Sequence, residues 1–85
     1  MSERFIRVDS NDYRRYGKGI LFANGCALNE VATAIFDMCD GHMNIDEIVD
    51  CLYEEYDCDK ELLLEDVSEC IRQMLENKLI VKLPE

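Results

Sequence analysis

The stretch DMCDGHMN, Asp37 to Asn44, sets a thiol, two carboxylates and the one histidine of the chain within eight residues. These are side chains that ligate zinc. Convergence on one ion requires them to share a side of the backbone. On a helical wheel Cys39 falls near the middle of an apolar arc, and Asp40 and Asp37 point roughly 100° and 160° away from it. His42 has no histidine three or four residues off and no HExxH frame. The stretch therefore reads as the link between two helices, with His42 a loop residue and Cys39 buried, and no metal site is expected.

The other candidates for chemistry are as sparse. Cys26, Cys39, Cys51, Cys58 and Cys70 are odd in number and stand seven or more residues apart, with no CxxC pair. That spacing suits neither a zinc nor an iron–sulfur site nor a disulfide framework, and it predicts reduced thiols used as small hydrophobes. No local signature pairs a thiol with His42 for nucleophilic catalysis. The glycines at 17, 19, 25 and 41 form no phosphate-binding loop. The reading is a non-enzyme with no cofactor and no catalytic residue.

Charge narrows the partners. The 85 residues carry 19 acids and 9 bases, a net charge of −10. Five of the bases (Arg4, Arg7, Arg14, Arg15, Lys18) lie in the first twenty residues, whereas Asn44 to Cys70 holds eleven carboxylates and one base, Lys60. Such a field repels phosphate backbones and attracts basic peptides or protein surfaces over about a Debye length. The N-terminus is charged and no apolar run approaches the roughly 20 residues a bilayer requires. A single domain over residues 1–85, cytoplasmic and free of membrane, is expected.

The elements follow from periodicity. RFIRV (Arg4 to Val8) alternates like a half-buried strand, GILFA (Gly19 to Ala23) is a second apolar run after a polar turn, and Asn24-Gly25 signals a hairpin that folds CAL (Cys26 to Leu28) back as a third short strand. Asn29 suits a helix N-cap and Glu30 its first turn. The helix to Asp40 presents Val31, Ala32, Ala34, Ile35, Phe36, Met38 and Cys39 on one arc and Glu30, Thr33, Asp37 and Asp40 on the other. Gly41 is placed as the left-handed residue that ends it.

Asn44 with Glu47 resembles a capping box and opens a second helix to Tyr56, with Ile45, Ile48, Val49, Leu52 and Tyr56 inward. A third helix, about Lys60 to Asn77, has an apolar arc of roughly 140°, wider than the ~100° needed to rest on a core. One edge is Leu63, Cys70 and Met74, the other Leu64, Ile71 and Leu75. Leu79 to Leu83 forms a last strand, stopped by Pro84. The expected fold is α+β, a winged helix-turn-helix: an N-terminal three-stranded antiparallel sheet, three helices and a short terminal strand. Duplex DNA is not the expected partner, because the second helix has no base and the third dilutes Lys60, Arg72 and Lys78 among carboxylates.

The run from Leu28 to Val81 resembles the PqqD-like proteins, or RiPP recognition elements. The pattern is a Leu-Asn entering an alanine-containing helix, an acidic residue and glycine closing it, an acidic-apolar second helix, and a long third helix ending in a Leu-Ile/Val strand. The resemblance implies a peptide chaperone that binds the leader segment of a ribosomally made precursor and presents it to a modifying enzyme, commonly a radical S-adenosylmethionine enzyme. It further implies β-strand addition in a groove between the third strand and third helix, with Gly25, Cys26, Ala27 and Leu28 on the strand side and Leu63, Val67, Cys70 and Met74 on the helix side. YRRYGKGILFANG lacks the Pro-Glu that follows the second strand in the pyrroloquinoline quinone proteins, which leaves open whether the pathway is that one or another peptide product. A stand-alone form is expected, as a monomer or an edge-paired or swapped dimer. The rival readings are a winged-helix transcription regulator and a structural subunit of an enzyme complex.

Overall fold

Side-chain caps set where the helices begin in the computed structural model, which describes residues 3–84. Asn29 accepts from the amide of Ala32 and opens α1 (Glu30–Met38). Asn44 and Glu47 complete a reciprocal capping box at the head of α2 (Ile45–Glu55). Asp59 accepts from the Glu61 amide and opens α3 (Lys60–Glu76). Beyond α3 the Leu79 amide donates to the Met74 carbonyl at 2.9 Å and that of Lys78 to Leu75 at 3.1 Å. This pair of hydrogen bonds closes the helix with Lys78 in the left-handed region, at φ 60°.

The strands are β1 (Arg4–Arg7), β2 (Tyr13–Tyr16), β3 (Gly19–Phe22), β4 (Ala27–Leu28), β5 (Asp40–Asn44) and β6 (Ile80–Lys82). They form two three-stranded antiparallel sheets, β2-β3-β4 and β5-β1-β6. The α+β winged helix-turn-helix class stands, but the composition of its sheets differs from the sequence reading. The N-terminal three-stranded sheet is built on β2, in YRRY, the run that reads as a polar turn. Arg4 to Arg7 leaves that sheet altogether and pairs between Asp40–Asn44 and Ile80–Lys82. At the hairpin tip Gly25 holds φ 93°, the Cys26 amide donates to Asn24 Oδ1 at 2.9 Å, and Phe22 N–H reaches the Cys26 carbonyl at 2.8 Å.

DGHMN is therefore strand and not a helix-to-helix turn. α1 stops at Met38, with Cys39 as its cap and its last carbonyls taken from outside: Arg7 Nη1 donates to Asp37 O at 2.7 Å and Phe36 O at 3.3 Å. Gly41, at φ 89°, serves a bulge in β5, where Arg4 pairs Asn44 and Ile6 pairs Asp40. A Cβ there would meet Leu83 Cδ1 at 3.3 Å. The groups of this stretch are engaged apart from one another: Asp37 holds Arg15, the Asp40 side chain accepts from the His42 backbone amide, and the fully buried Cys39 thiol donates to the Ile35 carbonyl.

Between the sheets and helices lies one core. Phe5 and Ile80 enter it from β1 and β6, Ile20 and Phe22 from β3, Ile35 and Phe36 from α1, and Ile48, Val49 and Leu52 from α2. Leu63, Val67, Ile71 and Met74 line the buried stripe of α3. Thr33, on the polar arc of the wheel, is buried instead, and its hydroxyl donates to the Leu28 carbonyl at 3.4 Å. Tyr13, Phe22 and Phe36 pack as an edge-on aromatic cluster that seats β2 on α1, beside the Arg15–Asp37 ion pair at 2.6 Å. Among the described residues no helix is long and apolar enough to cross a membrane.

Candidate functional site: an edge strand beside a neutral groove

β4 is two residues long and, among the described residues, pairs with β3 alone, on one side. Its partners Ile20↔Leu28 and Leu21↔Ala27 fix the register. Since the Cys26 carbonyl points at β3, the alternation of an antiparallel ladder directs Leu28 the same way and turns the N–H and C=O of Ala27 toward the open edge. The Leu28 carbonyl is tied down beneath by Thr33. A third constraint comes from Gly19, where a Cβ would lie 2.7 Å from the Leu28 oxygen. Only glycine lets the two strands approach so closely.

Beside this edge lies a groove of about 160 Å³, bounded by Cys26, Ala27, Leu28, Asn29 and Ala32 on one wall and Cys70, Gln73, Met74 and Asn77 of α3 on the other, with Leu79 at its end. None of these side chains is charged. The volume suits one medium apolar side chain, and the amides of Asn29, Gln73 and Asn77 offer donors and acceptors around it. Cys70 is half-buried, and burial pushes its thiol up to about 11, so the group stays neutral. An extended peptide laid along β4 would find backbone partners at Ala27 and a shallow apolar pocket for alternate side chains.

Five of the residues expected at the site meet here: Cys26, Ala27, Leu28, Cys70 and Met74. Gly25 lines a different concavity, on the outer side of the hairpin with Arg14 and Leu21. Leu63 and Val67 do not reach the groove. They are 5% and 0% exposed and belong to the core; Met74, which does line the groove, is as buried at 1% and forms its floor. A wheel shows the width of the apolar arc and not which part of it the core covers. Gln73 and Asn77 escape a search for apolar residues, although they lie three and seven positions after Cys70, on its flank of the helix. Asn29 doubles as helix cap and groove rim.

Residues 19–80 match the family model of coenzyme PQQ synthesis protein D (PqqD). Over 61 residues the chain is 39% identical to the PqqA binding protein of Methylococcus capsulatus, covering 71% of this chain and 59% of that protein. The chain thus spans less than two thirds of the length of that relative. The solved structure of TbiB1 in complex with the TbiA(beta) leader peptide superposes with a TM-score of 0.76 over 94% of this chain and 99% of that one, at 18% identity. At that identity the superposition establishes the shared fold.

Proposed function

The chain belongs to the PqqD family, and from that premise we propose that it binds the leader segment of a ribosomally made precursor peptide and presents it to a peptide-modifying enzyme. The observation that carries the reading is the unpaired edge of β4 beside an uncharged groove on α3. The leader adds as an antiparallel strand next to Ala27, and one apolar side chain enters between Leu28 and Cys70, above the buried Met74. Affinity comes from main-chain bonds and selectivity from the pocket. The partner enzyme is of the radical S-adenosylmethionine class, and the chain itself contributes no catalytic group. The relative's name, PqqA binding protein, and the leader peptide in the neighbouring structure both support peptide binding in this family.

The test is a titration of isotope-labelled protein with the leader of the precursor encoded beside it. Amide shifts are expected at Cys26 to Leu28 and from Cys70 to Asn77. Ala27→Pro removes one edge donor and should weaken binding about tenfold, the worth of roughly one backbone hydrogen bond. Absence of binding to the co-encoded leader, or shifts confined to α2, would sink the assignment. Val67→Glu is not a test of the groove, because a carboxylate at a fully buried position reports on folding.

A further inference from the structure

The opposite flank of α3 carries a second concave surface. Two adjoining hollows, of about 330 Å³ and 500 Å³, share Asp46 and Leu64 and form one furrow between α2 and the first half of α3. Its floor is apolar, with Ile45 and Val49 below and Leu64 left 42% exposed at the centre. Its rim carries Glu3, Asp46, Asp50 and Glu61; Glu3 is paired with Lys82 at 3.9 Å and Asp50 with Lys60, which leaves Asp46 and Glu61 as the rim acids without an ion pair among the described residues. The one base there, Lys60, is held by Asp50 at 2.6 Å and lies 5.8 Å from the centre of the Tyr53 ring, so its charge is already matched. On a wheel of 100° per residue, Leu64 and Ser68 stand roughly 160° from the Cys70–Gln73–Asn77 flank, with the buried Val67 and Ile71 between. A body in the furrow does not obstruct the groove.

We infer that this furrow docks a segment of the modifying enzyme in which an apolar side chain is flanked by lysine or arginine. The apolar residue covers Leu64 and its flanking bases meet Asp46 and Glu61. Charge complementarity selects this occupant: apart from Glu3, the lining belongs to the part of the chain, Asn44 to Cys70, that holds eleven carboxylates and a single, already paired, base. A second copy of the chain would bring a like-charged body of net −10 toward it, and nucleic acid would be repelled. With the leader on one side of α3 and the enzyme on the other, the chain holds both at once. The inference rests on the leader-binding reading for the identity of its occupant.

The experiment measures two affinities for the full chain, one for the purified modifying enzyme encoded beside it and one for the leader peptide, in the wild type, in Leu64→Glu and in D46N/E61Q. Leu64→Glu should weaken enzyme binding about tenfold or more, as loss of a central anchor does, and leave leader affinity within about twofold. D46N/E61Q perturbs no core residue; it should slow association with the enzyme and flatten its salt dependence. Enzyme affinity unchanged in both variants overturns the inference. So does leader affinity lost in Leu64→Glu, or a wild-type dimer in sedimentation that Leu64→Glu dissociates. A wild type that ignores the leader but binds the enzyme through Leu64 would fell the leader reading and support the furrow.

Discussion

Cys39 closes α1 from inside the core, with no exposed surface and its thiol donating to the Ile35 carbonyl at 3.3 Å. Burial pushes that thiol up to about 12, against an ordinary value of 9.0, and Arg7 opposes the shift only in part. In the unfolded chain the same thiol ionises near pH 9. The folded state therefore keeps a proton that the unfolded state releases between pH 9 and 12, and stability that is complete below pH 9 is lost as pH rises through that window. Cys70, pushed up to about 11, adds to the same trend. The expected slope for a buried thiol approaches about 1.4 kcal/mol per pH unit. Urea unfolding at pH 8 and pH 10.5 should show Cys39→Ala starting less stable than the wild type yet losing less across the interval. Equal losses in the two proteins would refute the assignment. Cys51 and Cys58, both exposed, should react with a thiol reagent well before Cys39 does.

At the scale of elements, the weakest part of the fold is the part the site depends on. β4 has two residues and one neighbour, and its distance from β3 is fixed where Gly19 faces the Leu28 carbonyl. In Gly19→Ala a methyl carbon would stand 2.7 Å from a backbone oxygen that cannot rotate away, so β4 must move. The expected cost is about 1–3 kcal/mol of stability, with amide shifts at Ala27 and Leu28 and a leader affinity lowered about tenfold. If Gly19→Ala binds leader as the wild type does, the position of β4 is not what sets affinity. The helices were legible because each carries its own signals, the caps at Asn29 and Asn44 and the periodic stripes, within a dozen residues. The sheets were not, because pairing is decided at long range. Local signals are weak at both: Asp40–Asn44 has no β-branched residue, and Tyr13–Tyr16, although its tyrosines favour strands, shows no apolar–polar alternation. Arg4 to Arg7 shows its alternation but not its partners, which lie more than thirty residues away. The groove was half legible for the same reason, since placing β4 over Cys70 rather than Val67 is a tertiary decision.

Taken as a whole, the molecule separates its charges by element, although Arg4 beside Asn44 and Lys82 on Glu3 bring bases to one end of the acidic furrow. Bases gather on β1 and β2, acids on α2 and α3, while the groove between β4 and α3 carries no charge at all. The two binding surfaces should therefore answer differently to salt. Contacts made by backbone groups and an apolar pocket are little changed by screening, whereas attraction between an acidic rim and a basic segment decays once the Debye length falls below the separation of the charges, from about 8 Å at 0.15 M toward 3 Å at 1 M. Leader affinity is expected to change by less than about threefold between roughly 0.15 and 0.5 M sodium chloride, because the fixed charges of the protein lie outside the groove and are already largely screened at the lower concentration. Enzyme affinity should fall several-fold over the same range, mostly through slower association. Calorimetry and stopped-flow association at the two concentrations would measure both. A leader affinity that drops in parallel with that of the enzyme would mean that the peptide is held by charge, and hence that it does not lie in the neutral groove.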